Sequence, residues 1–255
     1  MIVALIDSGL GLLPTSAWLR RLRPNLDLML SLDPEGAPWG PRDEQWVIDR
    51  VVGTARRAVD RGAEVVVLPC NTASVTALEH VRADLGPEIP VIGTVPAIKP
   101  AAAMCESVAI WATAATTASA YQANLVKQFA NGSSVVGVAC HGLADAIDRG
   151  DVNGAREAIA AAAAHTPDDV TGVVLGCTHY PLVAEQIAAH LPEGVALFDS
   201  AEAVAAQTLR RIDALGRDST GNGTVEVLLS GTRGELPVSA ASFDAGRLLL
   251  AAPSR

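Results

Sequence analysis

Short aliphatic runs punctuate the chain at residues 2–6, 26–32, 65–68, 91–93, 108–112, 135–139, 173–175 and 225–229. Each is short, rich in β-branched residues or leucine, and free of strict apolar–polar alternation, which predicts strands buried on both faces. Between several of them lie helical stretches, at residues 43–61, 119–128, 154–165, 181–190 and 201–212. Strand alternating with helix predicts an α/β fold with parallel sheets covered on both sides.

Two of the runs end alike. The segment E-V-V-V-L-P-C-N-T-A-S closes at Ser74 and T-G-V-V-L-G-C-T-H-Y-P closes at Pro181. Both read as a strand, a cysteine at its carboxyl end, and a polar turn into a helix. Open parallel sheets bind ligands outside the carboxyl ends of their strands, where loop side chains and helix amides converge. The repeat predicts two pseudo-symmetric α/β domains with the active site at their interface. Residues 1–94 with 208–255 form the first and carry Asp7 and Cys70; residues 95–207 form the second and carry Cys177 and His179. Residues 217–224, R-D-S-T-G-N-G-T, have the composition of a linker, after which the last strand is expected to return to the first domain.

Composition removes several function classes. A formal charge of −9 offers no basic stripe for phosphates, so nucleic acid is not expected as a partner. No apolar run reaches the roughly 18 to 20 residues that span a bilayer, and no leader is evident, so a cytoplasmic protein without membrane contact is expected. Cys70, Cys105, Cys140 and Cys177 lie far apart, without the paired spacing of zinc sites or redox dithiols, which disfavours both a metal and a disulfide framework. There is no dinucleotide fingerprint and no P-loop, and the only lysines are Lys99 and Lys127, which leaves little room for Schiff-base chemistry. No cofactor is expected.

Chemistry concentrates at three strand ends. The first run leads into Asp7, Ser8 and Gly9, a carboxylate and a hydroxyl beside a residue that permits close backbone approach. Taken alone, this is also ordinary turn and cap chemistry. Cys70 is followed by small polar residues suited to opening a helix, and Cys177 by Thr178, His179 and Tyr180, which set an imidazole beside the thiol. A lone cysteine is more often a small buried hydrophobe. Two thiols in parallel contexts suit acid/base chemistry instead, because inverting a carbon stereocentre needs a base on one face of a planar carbanion and an acid on the other.

Five segments in order resemble the aspartate/glutamate racemase superfamily, most nearly its glutamate-specific branch. They are D-S-G-L-G at 7–11, D-P-E-G-A-P-W-G at 33–40, C-N-T-A-S at 70–74, T-A-A-T-T-A-S-A-Y at 113–121 and G-C-T-H-Y-P at 176–181. A further D-S-A stands at 199–201, and the resemblance runs from residue 2 to about residue 210. It implies that Cys70 and Cys177 are the catalytic pair, assisted by Asp7 and His179. It implies that Ser8, Trp39, Gly40, Asn71, Thr72, Thr116 and Thr178 hold a small anionic amino acid. It implies two flavodoxin-like domains, a homodimer, and a product, D-glutamate, destined for peptidoglycan. The sequence departs from the family pattern at Leu12, where a glycine is usual, and at Trp39, where a tyrosine is usual. Asp148 aligns with the family's assisting glutamate, and Cys105 and Cys140 read as structural. Two alternatives stay open on these departures: racemisation or isomerisation of another small acid (aspartate, a hydantoin or a cis-diacid), or a catalytically weak homologue that binds or regulates.

Overall fold

The computed structural model describes residues 1–130, 132–217 and 221–253. The strands are β1 (Ile2–Ile6), β2 (Asp27–Leu32), β3 (Val65–Leu68), β4 (Val91–Gly93), β5 (Ser107–Ala112), β6 (Ser134–Ala139), β7 (Gly172–Leu175), β8 (Ala196–Phe198), β9 (Val225–Leu229) and β10 (Thr232–Gly234). All eight expected strands are present. The chain divides into two compact units, Met1–Thr94 with Ala201–Arg255, and Val95–Ser200. The division falls ahead of residue 208 because the helix Ala201–Ala214 packs along the helix Leu13–Leu22 and stays whole with the first unit.

The first unit holds a sheet ordered β10-β9-β2-β1-β3-β4, parallel except for the β9–β10 hairpin. β1 and β3 are interior strands, covered on both faces, which is why their sequences run unbroken in aliphatic residues: Val3 to Ile6 and Val65 to Leu68 are all fully buried. The last strand does return here. β9 pairs in parallel with β2, and the Asp27 carboxylate fixes the approach by accepting from Asn222 N, Thr224 N and Thr224 Oγ1 at 2.8 to 3.0 Å. Arg20 adds bonds to the carbonyls of Leu26 and Thr224. The expected linker at 217–224 lies partly outside the described residues.

The second unit holds a four-stranded parallel sheet ordered β6-β5-β7-β8. Its core joins Val108, Ile110, Ala112 and Val174 to Ile98 and Leu125 from the flanking helices Ile98–Met104 and Ala120–Phe129. Trp111 is fully buried, and its indole nitrogen donates to Thr166 Oγ1 at 2.9 Å, so the polar edge of the ring is satisfied.

Numbered within its own unit, each sheet carries its first four strands in the order second, first, third, fourth. That is the doubly wound order of flavodoxin-like folds. Its ligand crevice opens where the chain reverses direction across the sheet, between the first strand and the third. The pairs that flank this point are β1 with β3 in the first unit and β5 with β7 in the second.

Candidate active site

In the first unit the reversal point carries Asp7 and Ser8 after β1, and Cys70 after β3. Asp7 is fully buried; its Oδ1 accepts from Gly9 N and from Ser8 Oγ, both at 3.2 Å. Cys70 is the extended N-cap residue of the helix Asn71–Thr76, and Ser74 N donates to its carbonyl at 2.9 Å. Ser74 ties this turn back to the sheet: its hydroxyl donates to Leu68 O and accepts from Thr94 N, each at 2.9 Å. Asn71 is buried and Thr72 half-buried at the start of the helix. Cys70 thus sits on a turn anchored to two strands.

The loop after β2 runs beside these residues. Asp33 N donates to Ser8 O at 3.3 Å, and Asp7 N donates to Ser31 O at 3.1 Å. Trp39 is packed into the core beside these residues. It is 1% exposed, belongs to the same buried cluster as Ile6, Leu68, Cys70 and Ala73, and donates its indole N–H to Asp33 Oδ2 at 2.9 Å. Gly40, next in the chain, is exposed. Leu12 is fully buried and fills core volume.

Asp33 gathers more than Trp39. Arg50, on the helix Glu44–Asp60, donates from Nε at 2.8 Å and from Nη2, and Ser230 Oγ donates at 2.7 Å. Burial alone would raise the Asp33 carboxyl; the hydrogen bonds from Arg50, Trp39 and Ser230, with the guanidinium charge, outweigh it and hold the group below the usual carboxylate range. The sequence shows an acid at the end of β2, but Arg50 and Ser230 carry no local signal. They stand 17 and 197 residues away and meet Asp33 only through folding.

In the second unit the reversal point carries Thr113 after β5 and Cys177 after β7. Thr113 caps the short helix Ala114–Thr117, accepting from Thr116 N at 3.3 Å and donating to Thr116 Oγ1 at 3.0 Å. Gly176, just before the cysteine, donates to Trp111 O at 2.7 Å, and a Cβ there would lie 2.9 Å from that same oxygen. Only glycine lets the strand end approach β5 this closely.

The residues after Cys177 depart from the expected entry into an α-helix. They turn through Thr178 and His179 into a 3-10 segment, Tyr180–Val183, before the helix Ala184–Ala188. Pro181 is the reason. It has no N–H to bond the Cys177 carbonyl, so Tyr180 N takes that oxygen at 3.0 Å and the turn tightens.

This turn lines up three groups. His179 Nδ1 lies 3.7 Å from Cys177 Sγ, and its Nε2 lies 3.0 Å from Asp148 Oδ1, which projects from the helix Leu143–Arg149. The His179 ring is almost wholly buried, which by itself would discharge it. The Asp148 charge and hydrogen bond, with contributions from Cys177, reverse that and raise the imidazole well above its ordinary value. The arrangement keeps a proton on His179 between a carboxylate and a sulfur. Thr178 is half-buried beside them.

Beneath this row, Tyr180 is fully buried with its hydroxyl beside the Cys140 thiol. Burial pushes Cys140 up to about 12, so it stays a thiol. Cys105 packs against β7, where its sulfur lies 2.7 Å from where a Gly172 Cβ would stand. Among the described residues there is no cluster of potential metal ligands, and no helix is long and apolar enough to cross a membrane.

The sequence model of the Asp/Glu/hydantoin racemases matches residues 21–208. A glutamate racemase of Pseudomonas putida is 37% identical over 221 residues, which cover 82% of this chain and 80% of that protein. One from Sphingopyxis alaskensis is 39% identical over 214 residues, 80% of this chain and 79% of that protein. Among solved structures, Escherichia coli glutamate racemase, in complex with L-glutamate and the activator UDP-MurNAc-ala, matches with a TM-score of 0.82 and 29% identity over 98% of this chain and 92% of that one. An allantoin racemase from Klebsiella pneumoniae, at 18% identity and a TM-score of 0.54 over 97% of this chain and 98% of that one, shares the fold. With the family pattern matching most of its length and relatives this similar, the chain belongs to the Asp/Glu/hydantoin racemase family.

Proposed function

We propose that the protein interconverts L- and D-glutamate by a two-base transfer of the α-proton, with Cys70 serving one enantiomer and Cys177 the other and no cofactor taking part. The observation that carries this reading is the repeated placement of the two cysteines. Each follows the third strand of its own unit, at the reversal point of the same strand order. In one direction a thiolate takes the proton from Cα, the electron pair is delocalised into the carboxylate, and the second thiol returns a proton to the other face of the carbanion. The reverse direction exchanges the roles of the two sulfurs.

The neighbours differ between the halves. On the Cys177 side, His179 holds a proton that it can exchange with Sγ through Nδ1, while Asp148 fixes the ring by its bond to Nε2. On the Cys70 side, Asp7 is the assisting group. Ser8, Asn71, Thr72, Thr116 and Thr178, with the Gly40 backbone beside Trp39, hold the carboxylates and ammonium of the substrate. Glutamate as substrate is supported by the relatives, whose 37 and 39% identity extends over about four-fifths of the chain. The enzyme acts in the cytoplasm as a homodimer and supplies D-glutamate for peptidoglycan.

The test is to offer each enantiomer of glutamate separately to the purified enzyme, with no added cofactor, and follow optical activity by circular dichroism. Decay to the racemate from either side is expected. Inert glutamate with active aspartate would move the reading to another small acid, and silence across both would refute racemisation.

A further inference from the structure

The Asp33 cluster does more than a buried ion pair needs to do for stability, since such pairs gain little over well-packed apolar groups. It draws a guanidinium from the helix Glu44–Asp60, an indole from its own loop and a hydroxyl from the β9–β10 hairpin onto one carboxylate. Ser230 makes the point sharpest. It occupies the first of the two hairpin residues at φ +48°, followed by Gly231 at φ +89°, and it is the sole non-glycine at positive φ among the described residues. Turns of this kind favour asparagine, aspartate or glycine at that position. Serine bears a conformational cost there, and its hydroxyl bonds Asp33 Oδ1 while accepting from Glu35 N at 3.2 Å.

Both bonds grip the loop that leads to Gly40. Its other end is fixed by the Trp39 indole on the same carboxylate, and its start by the bond from Asp33 N to Ser8 O. We propose that Arg50 and Ser230 are positioning residues for substrate binding, acting through Asp33 to hold the 34–40 loop so that Gly40 presents its backbone to a substrate carboxylate. This inference rests on the assignment of Gly40 to the substrate-binding set.

Ser230→Gly separates positioning from folding, because glycine suits the turn while the hydroxyl is lost. The variant is expected to stay folded with an unfolding temperature close to wild type, the relaxed turn offsetting part of the lost hydrogen bond, yet to show a KM for glutamate raised by up to about tenfold, the most that losing one charge-assisted hydrogen bond that orders the loop can cost. Its kcat should stay within about twofold. Ser230→Asn, which tolerates positive φ and carries an amide donor, should recover KM to within about threefold of wild type. Arg50→Met should raise KM at least as far as Ser230→Gly does. A wild-type KM in folded Ser230→Gly and Arg50→Met would overturn the inference, as would a loss of affinity in Ser230→Gly matched by a loss of thermal stability. A wild-type enzyme inert toward glutamate would instead sink the functional reading, and this inference with it.

Discussion

Asp148→Asn keeps the shape of the row Cys177–His179–Asp148 and removes its charge. The bond at stake joins Asp148 Oδ1 to His179 Nε2 at 3.0 Å, with the ring 6% and the carboxylate side chain 30% exposed. Hydrogen bonds to charged groups contribute about 1.5–3 kcal/mol. The partly open carboxylate is screened by water, which places this one in the lower half, about 1.5–2 kcal/mol. At about 1.36 kcal/mol per tenfold, the expected loss in kcat is roughly ten- to thirtyfold. The pH dependence gives a second signature. Burial opposes the His179 charge, and Asp148 is the main influence that overcomes it. The raised value means that the pair's contribution is fully present below the unfolded histidine pKa of about 6.5 and is lost as pH rises through the folded value. Without the Asp148 charge, His179 gives up its proton at lower pH, so the alkaline limb of kcat moves down. Asp148→Glu, which restores the charge, should recover most of the rate. The assay is the initial rate of glutamate racemisation by circular dichroism across about pH 6 to 9. Wild-type kcat with an unmoved alkaline limb in Asp148→Asn would refute the assigned role.

Two further perturbations address the Asp33 cluster. A Cβ on Gly36 would stand 2.1 Å from Asp33 Oδ2 and 2.8 Å from Trp46 Cη2, so Gly36→Ala should lower unfolding stability by about 1–3 kcal/mol. An unchanged urea midpoint would count against that packing. Asp33 itself is held below its ordinary range, so its contribution is present above the unfolded aspartate pKa of about 3.9 and is lost as pH falls through the lower folded value. Stability measured against pH should therefore fall less steeply on the acid side in Asp33→Asn than in wild type; parallel acid limbs would show that the carboxylate is not linked to folding.

The fold was legible where burial on both faces writes an unbroken aliphatic run, as in β1, β3 and β7. It was not legible in β8, a three-residue, half-buried strand at the sheet edge, nor in β10, whose Thr232, Arg233 and Gly234 carry no strand pattern and pair because the hairpin turn brings them back onto β9. The helix Leu13–Leu22 was hidden by a polar segment of mixed composition, and its buried face becomes apparent only against the helix Ala201–Ala214. Candidate chemistry was legible where residue type and position coincide, at Asp7, Cys70 and Cys177. Asp148 was readable through resemblance alone, because its link to His179 spans 31 residues. The burial of Trp39 and its bond to Asp33 were not legible, because both depend on a loop conformation that no local pattern specifies.

The central claim is that two thiols divide one proton transfer, and it is tested most directly by α-proton exchange in deuterated water. Wild type, Cys70→Ser and Cys177→Ser would each receive L- and D-glutamate separately, with deuterium at Cα followed by NMR and inversion by circular dichroism, after the fold of each variant is checked by far-UV circular dichroism. The account predicts deuterium uptake together with loss of optical activity in wild type, and racemisation reduced by at least about a hundredfold in each folded variant. Full racemisation by either serine variant would contradict it.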